Sequence, residues 1–221
     1  MKVVLPLRQH VGAPCKPIVE AGDEVRRGQL IAEPAGLGAN IHASVTGSVS
    51  FVDENKIEIE YDGKVDFNDY VRLKSEDHLA LIQEAGIVGA GGAGFPAHVK
   101  YKSRLEDGVF IANAAECEPL LSHNMDLLLH NPDIVLRGMK YVMDITGAPK
   151  GYIAIKPKHQ KEMIAVARAA KKYDNIQVKF LPDMYPAGDE RVIIRELLGV
   201  ELPPGALPIE AKTIVSNVET L

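Results

Sequence analysis

Asn131-Pro132-Asp133-Ile134-Val135-Leu136-Arg137-Gly138-Met139-Lys140-Tyr141-Val142-Met143-Asp144-Ile145-Thr146-Gly147-Ala148-Pro149-Lys150-Gly151-Tyr152-Ile153-Ala154-Ile155 reads as a helix followed by a strand. Pro132 suits a first helical turn, where its missing N–H would have no intrahelical partner. Ile134, Val135, Met139, Val142 and Met143 recur at helical spacing, and Gly147 supplies a stop. Tyr152–Ile155 is short, apolar and β-prone. The same alternation continues outward in both directions. Val109-Phe110-Ile111-Ala112 predicts a buried strand on the upstream side. Downstream come a helix marked by Met163, Ile164, Ala167 and Ala170, a strand over Ile176–Leu181, a helix from about Asp189 to Leu198, and a strand at Thr213-Ile214-Val215. Strands alternating with helices imply a parallel sheet with helices packed on its faces, hence an α/β, Rossmann-like domain. Before this region, Ser75 is a plausible N-cap for a helix running through Leu79 and Ile82 to Ala85, with Gly86 as its stop.

The first sixty residues follow a different rule. Gly and Pro separate short apolar runs: Val3-Val4-Leu5, Pro17-Ile18-Val19, Leu30-Ile31-Ala32 and Val49-Ser50-Phe51-Val52. The alternating stretch Ile57-Glu58-Ile59-Glu60-Tyr61 closes the series. Gly22-Asp23 and Gly28 suit tight turns. Ile41–Val49 repeats the strand–turn–strand logic, so two half-units packed face to face would make a small β-sandwich. This segment resembles the lipoyl/biotinyl-like barrel-sandwich hybrid family, whose carrier members attach a cofactor to a lysine on an exposed hairpin. No lysine occurs between Lys16 and Lys56, so a structural or docking role is expected instead. The polar connector Asp62-Gly63-Lys64-Val65-Asp66 places the division between residues 1–62 and 63–221.

Composition excludes several classes of function. With 25 Lys+Arg against 30 Asp+Glu the formal charge is −5, so no cationic excess is available for a nucleic-acid backbone. No apolar run approaches the ~20 residues of a membrane-spanning helix, and the N-terminal apolar run is too short for a secretory signal. Two cysteines, Cys15 and Cys117, fall short of the four thiolates of an iron–sulfur cluster. They also fit a reducing, cytoplasmic setting.

The chemistry is concentrated in Gly86-Ile87-Val88-Gly89-Ala90-Gly91-Gly92-Ala93-Gly94-Phe95-Pro96-Ala97-His98-Val99-Lys100. Five glycines within nine residues are costly in chain entropy. An anion offers a reason, because missing side chains let backbone N–H groups close around a phosphate. Gly89, Gly91 and Gly94 satisfy G-x-G-x-x-G formally, but the run follows a helix rather than a strand, and no Gly-Lys-Ser/Thr is present. The glycines alone are weak evidence for a nucleotide site, and a flexible turn allowing close helix packing is the competing reading.

The whole string is more specific. Gly-Ala-Gly-Gly-Ala-Gly-Phe-Pro, with Lys100 four residues on, resembles the flavin-binding loop of the FMN-bearing, NADH-oxidising subunit of respiratory complex I. It is more similar still to the C subunit of the Rnf electron-transport complex and its cobalamin-reductase and proline-reductase-associated relatives. Three further stretches carry the resemblance in order: Asn113-Ala114-Ala115-Glu116-Cys117-Glu118-Pro119, Tyr185-Pro186-Ala187-Gly188-Asp189-Glu190, and Ser216-Asn217-Val218-Glu219-Thr220. In the β region, Pro6–Pro14 and Val19–Val25 resemble the same Rnf protein.

This resemblance implies a module that binds FMN and oxidises NADH, passing electrons through the flavin to iron–sulfur centres located elsewhere. The implied partners are other electron-transfer subunits or ferredoxin-type proteins, and the implied setting is the cytoplasmic face of a membrane complex. The families continue into a β-grasp-like domain and a cysteine-rich module, expected to lie outside these residues. A scaffold subunit keeping the fold without flavin is the contrasting expectation.

The implied cofactor-binding residues are Gly89, Gly91, Gly92, Lys100, Asn113, Glu116, Gly188, Glu190, Ser216 and Asn217. Phe95 and Glu118 are the implied substrate contacts. Lys100 would neutralise the flavin phosphate; its alternative is a solvated lysine. As a phosphate-facing group it would have no partner in the ligand-free protein, so Lys100→Ala should leave apo stability unchanged. The Asn113 amide would pair with an isoalloxazine edge, or else close a turn. Phe95 would stack on a nicotinamide or adenine ring, or pack in the core. Glu116 and Glu118, two apart, would face one side of an extended backbone. Cys117 between them reads as a buried spectator thiol, and His98 as an exposed residue.

Overall fold

The computed structural model describes residues 1–118 and 120–221, so Pro119 of the Asn113–Pro119 motif lies outside the described residues. The chain forms two compact units, Met1–Val99 and Lys100–Leu221.

The first unit is built from seven short strands: β1 (Lys2–Pro6), β2 (Lys16–Pro17), β3 (Glu24–Val25), β4 (Leu30–Glu33), β5 (Ile41–His42), β6 (Gly47–Val52) and β7 (Lys56–Glu60). They make a four-stranded sheet in the order β1-β7-β6-β3 and a three-stranded sheet in the order β2-β4-β5. All the pairings are antiparallel. The period-2 pattern of β7 explains its orientation: Ile57 and Ile59 are wholly buried, opposite Leu5 and Val3 of β1, while Glu60 faces out. Burying each isoleucine contributes ~1.5–3 kcal/mol. Leu7, Ile31, Val45 and Val49 belong to the same core. Gly22 and Gly28 take φ of +100° and +80°, the left-handed backbone their turns require. Of the run Pro17-Ile18-Val19, only Pro17 joins a ladder, and Ile18 is exposed.

The helix expected from Ser75 is α1 (His78–Glu84), and its cap is Asp77, whose carboxylate accepts from Ala80 N. Ser75 serves differently: its backbone N–H, like that of Lys74, donates to the Glu84 carboxylate. The glycine run follows, and then the short helix α2 (Ala97–Tyr101).

The second unit alternates as the sequence predicts. Its elements are β8 (Val109–Asn113), α3 (His123–His130), α4 (Pro132–Thr146), β9 (Lys150–Ile155), α5 (Gln160–Ala170), β10 (Ile176–Phe180), α6 (Glu190–Leu198) and β11 (Thr213–Asn217), with one-turn 3-10 helices at Pro208–Ala211 and Val218–Thr220. All four strands are parallel, in the order β10-β9-β8-β11. Helices cover both faces. Ile193 and Ile194 of α6 pack with Ile111, Ala154 and Val215. On the other face, a Cβ at Gly151 would lie 2.4 Å from Met139 Cε and 2.7 Å from Met143 Sδ, so this strand glycine lets α4 approach closely. The buried stripe of α4 is Val135, Leu136, Met139, Val142, Met143 and Thr146; Ile134, expected within it, is 50% exposed. In α5 the buried positions are Val166, Ala169 and Ala170, with Ile164 and Ala167 outside.

Successive strands β8, β9 and β10 step one way across the sheet, whereas β11 returns to the far side of β8. That reversal is a topological switch point, and ligands of open α/β sheets bind outside the carboxyl ends of the strands that flank it. Here those ends are Asn113 and Asn217, which are register partners. Among the described residues, no helix is long and apolar enough to cross a membrane.

Candidate functional site

In the second unit, residues from all four motifs gather at the carboxyl ends of β8 and β11. The Asn113 side chain closes its own turn, its Oδ1 accepting from Ala115 N at 2.9 Å, while its Nδ2 donates to Gly188 O at 2.9 Å. The turn and recognition readings of this amide are therefore not exclusive: it spans two motifs. Gly188 N donates to Cys117 Sγ at 3.1 Å. A Cβ at Gly188 would meet that sulfur at 2.8 Å and Ala115 O at 3.2 Å, so glycine lets the 185–190 segment lie against the loop after β8. Cys117 is thus half-buried and bonded, not a buried spectator.

Lys100 Nζ donates to Val215 O at 2.7 Å and sits 3.7 Å from Glu190 Oε2. It has partners in the ligand-free protein, which overturns the expectation that it has none. Glu190 opens α6, whose N-cap Asp189 accepts from Arg191 N and Val192 N. Ser216 pairs with the Tyr101 hydroxyl at 3.0 Å. Tyr101 is 2% exposed, and burial pushes its phenol up against the opposing effect of the Ser216 hydrogen bond. Asn217 Oδ1 accepts from Glu219 N and caps the turn after β11. Sequence reasoning missed Tyr101, because one tyrosine beside a lysine carries no motif.

The two acidic residues do not share an environment. Glu118 is exposed, whereas Glu116 is half-buried and its Oε2 has no hydrogen-bond partner among the described residues. A buried acceptor left unpaired costs about 1–3 kcal/mol, and a ligand donor reaching it would remove that cost. This orphaned oxygen, the Lys100 cation and the amides at the two strand ends are a donor and acceptor set that fits a polar, anionic cofactor such as FMN.

The glycine run belongs to the first unit. Val88 and Pro96 form an antiparallel bridge, and Gly89 N donates to Phe95 O at 2.9 Å, so residues 89–95 project as a closed tip. Gly91 (φ +72°) and Gly92 are exposed, and a Cβ at Gly92 would meet nothing within 4 Å. Phe95 is 38% exposed, which leaves a ring face accessible rather than packed in the core. His98, expected at the surface, is buried.

Comparison with known proteins agrees with this architecture. Residues 82–221 match the family described as the Nuo51 FMN-binding domain, and residues 1–65 match the RnfC barrel sandwich hybrid domain. The C subunit of the proton-translocating ferredoxin:NAD(+) oxidoreductase complex of Clostridium ljungdahlii is 39% identical, over 99% of this chain and 52% of the relative. The cobalamin reductase PduS of Citrobacter freundii is 43% identical, over 63% of this chain and 30% of the relative. Among solved structures, an NAD+-reducing [NiFe]-hydrogenase in the H2-reduced state superposes with a TM-score of 0.57 at 26% identity, covering 64% of this chain and 28% of that one. The chain spans about half the length of the two ferredoxin:NAD(+) oxidoreductase C subunits it matches and 29–46% of the length of the matched ion-translocating oxidoreductase C subunits.

Proposed function

Because the chain belongs to the Nuo51 FMN-binding domain family, with an RnfC-type barrel sandwich hybrid domain ahead of it, we propose that it is the FMN-binding, NADH-oxidising module of an electron-transfer complex of the Rnf kind. The observation that carries this reading is the convergence at the β8/β11 switch point. Lys100, Asn113, Gly188 and Ser216 come from four separate motifs, hydrogen bonds spanning up to 115 residues tie them to the two strand ends, and Glu190 stands 3.7 Å from the Lys100 ammonium.

In this reading bound FMN would supply the redox chemistry between a hydride donor, NADH, and one-electron acceptors. The chain contributes binding and orientation. Backbone N–H groups of Gly91 and Gly92 are the proposed phosphate and ribityl contacts and Lys100 the proposed counter-charge, whereas Gly89, expected among those donors, has its N–H committed to Phe95 O and serves to close the tip. Asn113, Glu116, Gly188, Glu190, Ser216 and Asn217 are the proposed flavin contacts, and Phe95 and Glu118 are the proposed substrate contacts. The functional division at residue 62/63, partners among electron-transfer subunits or ferredoxin-type proteins, iron–sulfur centres outside residues 1–221, and a peripheral cytoplasmic position on a membrane complex belong to the same proposal.

A single glycine loop with one lysine, and no second phosphate fingerprint, favours FMN over FAD. Isothermal titration of the folded chain with each flavin tests this. FMN is expected to bind and FAD not to bind better; a clear FAD preference, or no flavin binding, sinks the reading. One observation favours the alternative of a scaffold that keeps the fold without flavin. Lys100 and Asn113 both have protein partners in the ligand-free structure, so each has structural work independent of a cofactor. The same titration separates the two readings.

A further inference from the structure

The glycine tip rests on the β-sandwich of its own unit, and the contact runs through one buried histidine. A Cβ at Gly94 would lie 2.9 Å from Gln9 O and 3.1 Å from His10 Cα, so the end of the tip is seated on the loop after β1. Gly94 has φ +65°, and its other side leads directly into Phe95. Upstream of the tip, a Cβ at Gly86 would be 2.2 Å from Asn40 O, at the end of the β4–β5 turn. Both ends of the run therefore approach the β-sandwich more closely than any side chain would permit.

His10 joins these supports. It is 7% exposed, its Nε2 is 3.2 Å from Cys15 Sγ, and its Nδ1 is 3.0 Å from Val11 O. The Cys15 sulfur also lies 3.2 Å from Ala39 O, in the β4–β5 turn. A Cβ at Gly38 would be 2.4 Å from His10 Cε1, and one at Gly12 would be 2.2 Å from Leu37 O. The imidazole is thus wedged between the loop after β1 and the β4–β5 turn, with its own backbone under Gly94.

We infer that His10 is a positioning residue for the glycine tip: the β-sandwich, which has no lysine between Lys16 and Lys56, acts as the base that fixes Gly89–Gly94 in a ligand-ready shape. Glycine-rich backbone loses more entropy on ordering than any other. Holding it before the ligand arrives removes that cost from binding, which is how preorganisation raises affinity. The inference rests on the flavin reading above for its consequence in binding, but not for the state of the loop itself.

The test uses the full chain and its His10→Ala, His10→Gln and Gly38→Ala variants, with FMN as the probe. Amide hydrogen exchange over residues 87–97 is measured without ligand, and FMN affinity by titration, both well below the unfolding midpoint. His10→Ala removes the wedge, and Gly38→Ala displaces it with one methyl. Each is expected to speed exchange in the tip and to weaken FMN at least tenfold, while exchange in the β8–β11 sheet stays at the parent level. His10→Gln, which keeps a hydrogen-bonding group near Cys15, is expected to recover most of both effects. Parent-like loop exchange in the folded variants overturns the inference. So does faster exchange spread equally over both units, which would mark a general loss of stability. Should His10→Ala not fold, Gly38→Ala and His10→Gln carry the decision. A parent chain that binds no FMN refutes the flavin reading alone, and the ligand-free exchange still decides the role of His10.

Discussion

Lys100 has one task in the ligand-free protein and a second on the proposed reading, and its substitution separates them. Its ammonium donates to Val215 O on the edge strand β11 and approaches Glu190 at the start of α6. Lys100→Ala is therefore expected to destabilise the ligand-free protein by ~0.5–1.5 kcal/mol, the net worth of one hydrogen bond. It should also weaken FMN by roughly 1.5–3 kcal/mol, about ten- to a hundredfold. Chemical denaturation and flavin titration measure the two separately; a loss of stability with unchanged flavin affinity would leave Lys100 as a strand clip only. The neighbouring residue gives a pH test. Burial raises the Tyr101 phenol, so the folded state holds that proton more tightly than the unfolded chain does. The stability this contributes is full below the unfolded tyrosine value of about 10. It is lost as pH rises through the higher folded value. Tyr101→Phe should cost about 1 kcal/mol at neutral pH, because the buried Ser216 hydroxyl loses its partner. It should also flatten the alkaline fall in the denaturation midpoint; an identical fall in parent and variant would contradict this.

At the scale of elements, the helices with a clear apolar stripe and a stop were legible, and those without were not. Pro132 and Gly147 bound α4 as the sequence predicts, with Gly147 in the left-handed conformation (φ +75°). Helix α3 escaped notice because a single residue separates it from α4. Asn131 N donates to Leu127 O to end one helix, and Asn131 O accepts from Ile134 N to begin the next. Read from the sequence, Asn131-Pro132 signals only a beginning. The cap of α1 moved from Ser75 to Asp77 because the Glu84 carboxylate holds the backbone at Lys74 and Ser75, a contact nine and ten residues long that no local pattern encodes. Gly138 makes a sharper element-level case. In an exposed helix, Gly→Ala gains roughly 0.5–1 kcal/mol. Here the new Cβ would fall 2.0 Å from Leu221 O, against backbone rather than a yielding side chain. Gly138→Ala is expected to lower the denaturation midpoint and to speed exchange over residues 218–221. A raised midpoint would mean that this turn gives way at little cost.

At the scale of the whole chain, the motifs were legible as strings, but the work each residue does in the ligand-free protein was not. The order of the strands, with β11 returning beside β8, depends on contacts between residues about a hundred apart, so spacing alone could not bring Asn113 opposite Asn217. The cysteine count, by contrast, needs no fold. Two thiols occur in 221 residues, one in each compact unit. Among the described residues, no three His, Cys, Asp or Glu side chains stand together as metal ligands. A cluster needs about four thiolate-type ligands close together, and two thiols fall short of that number. On the proposed reading, electrons that NADH delivers to the flavin then have no one-electron relay within these residues. The chain loaded with FMN is expected to oxidise NADH with an artificial dye as acceptor, and to reduce a ferredoxin-type protein negligibly. Omitting FMN should abolish the dye reaction. Rapid ferredoxin reduction by this chain alone would show that the flavin passes electrons directly to a protein acceptor, and the requirement for clusters elsewhere would fall.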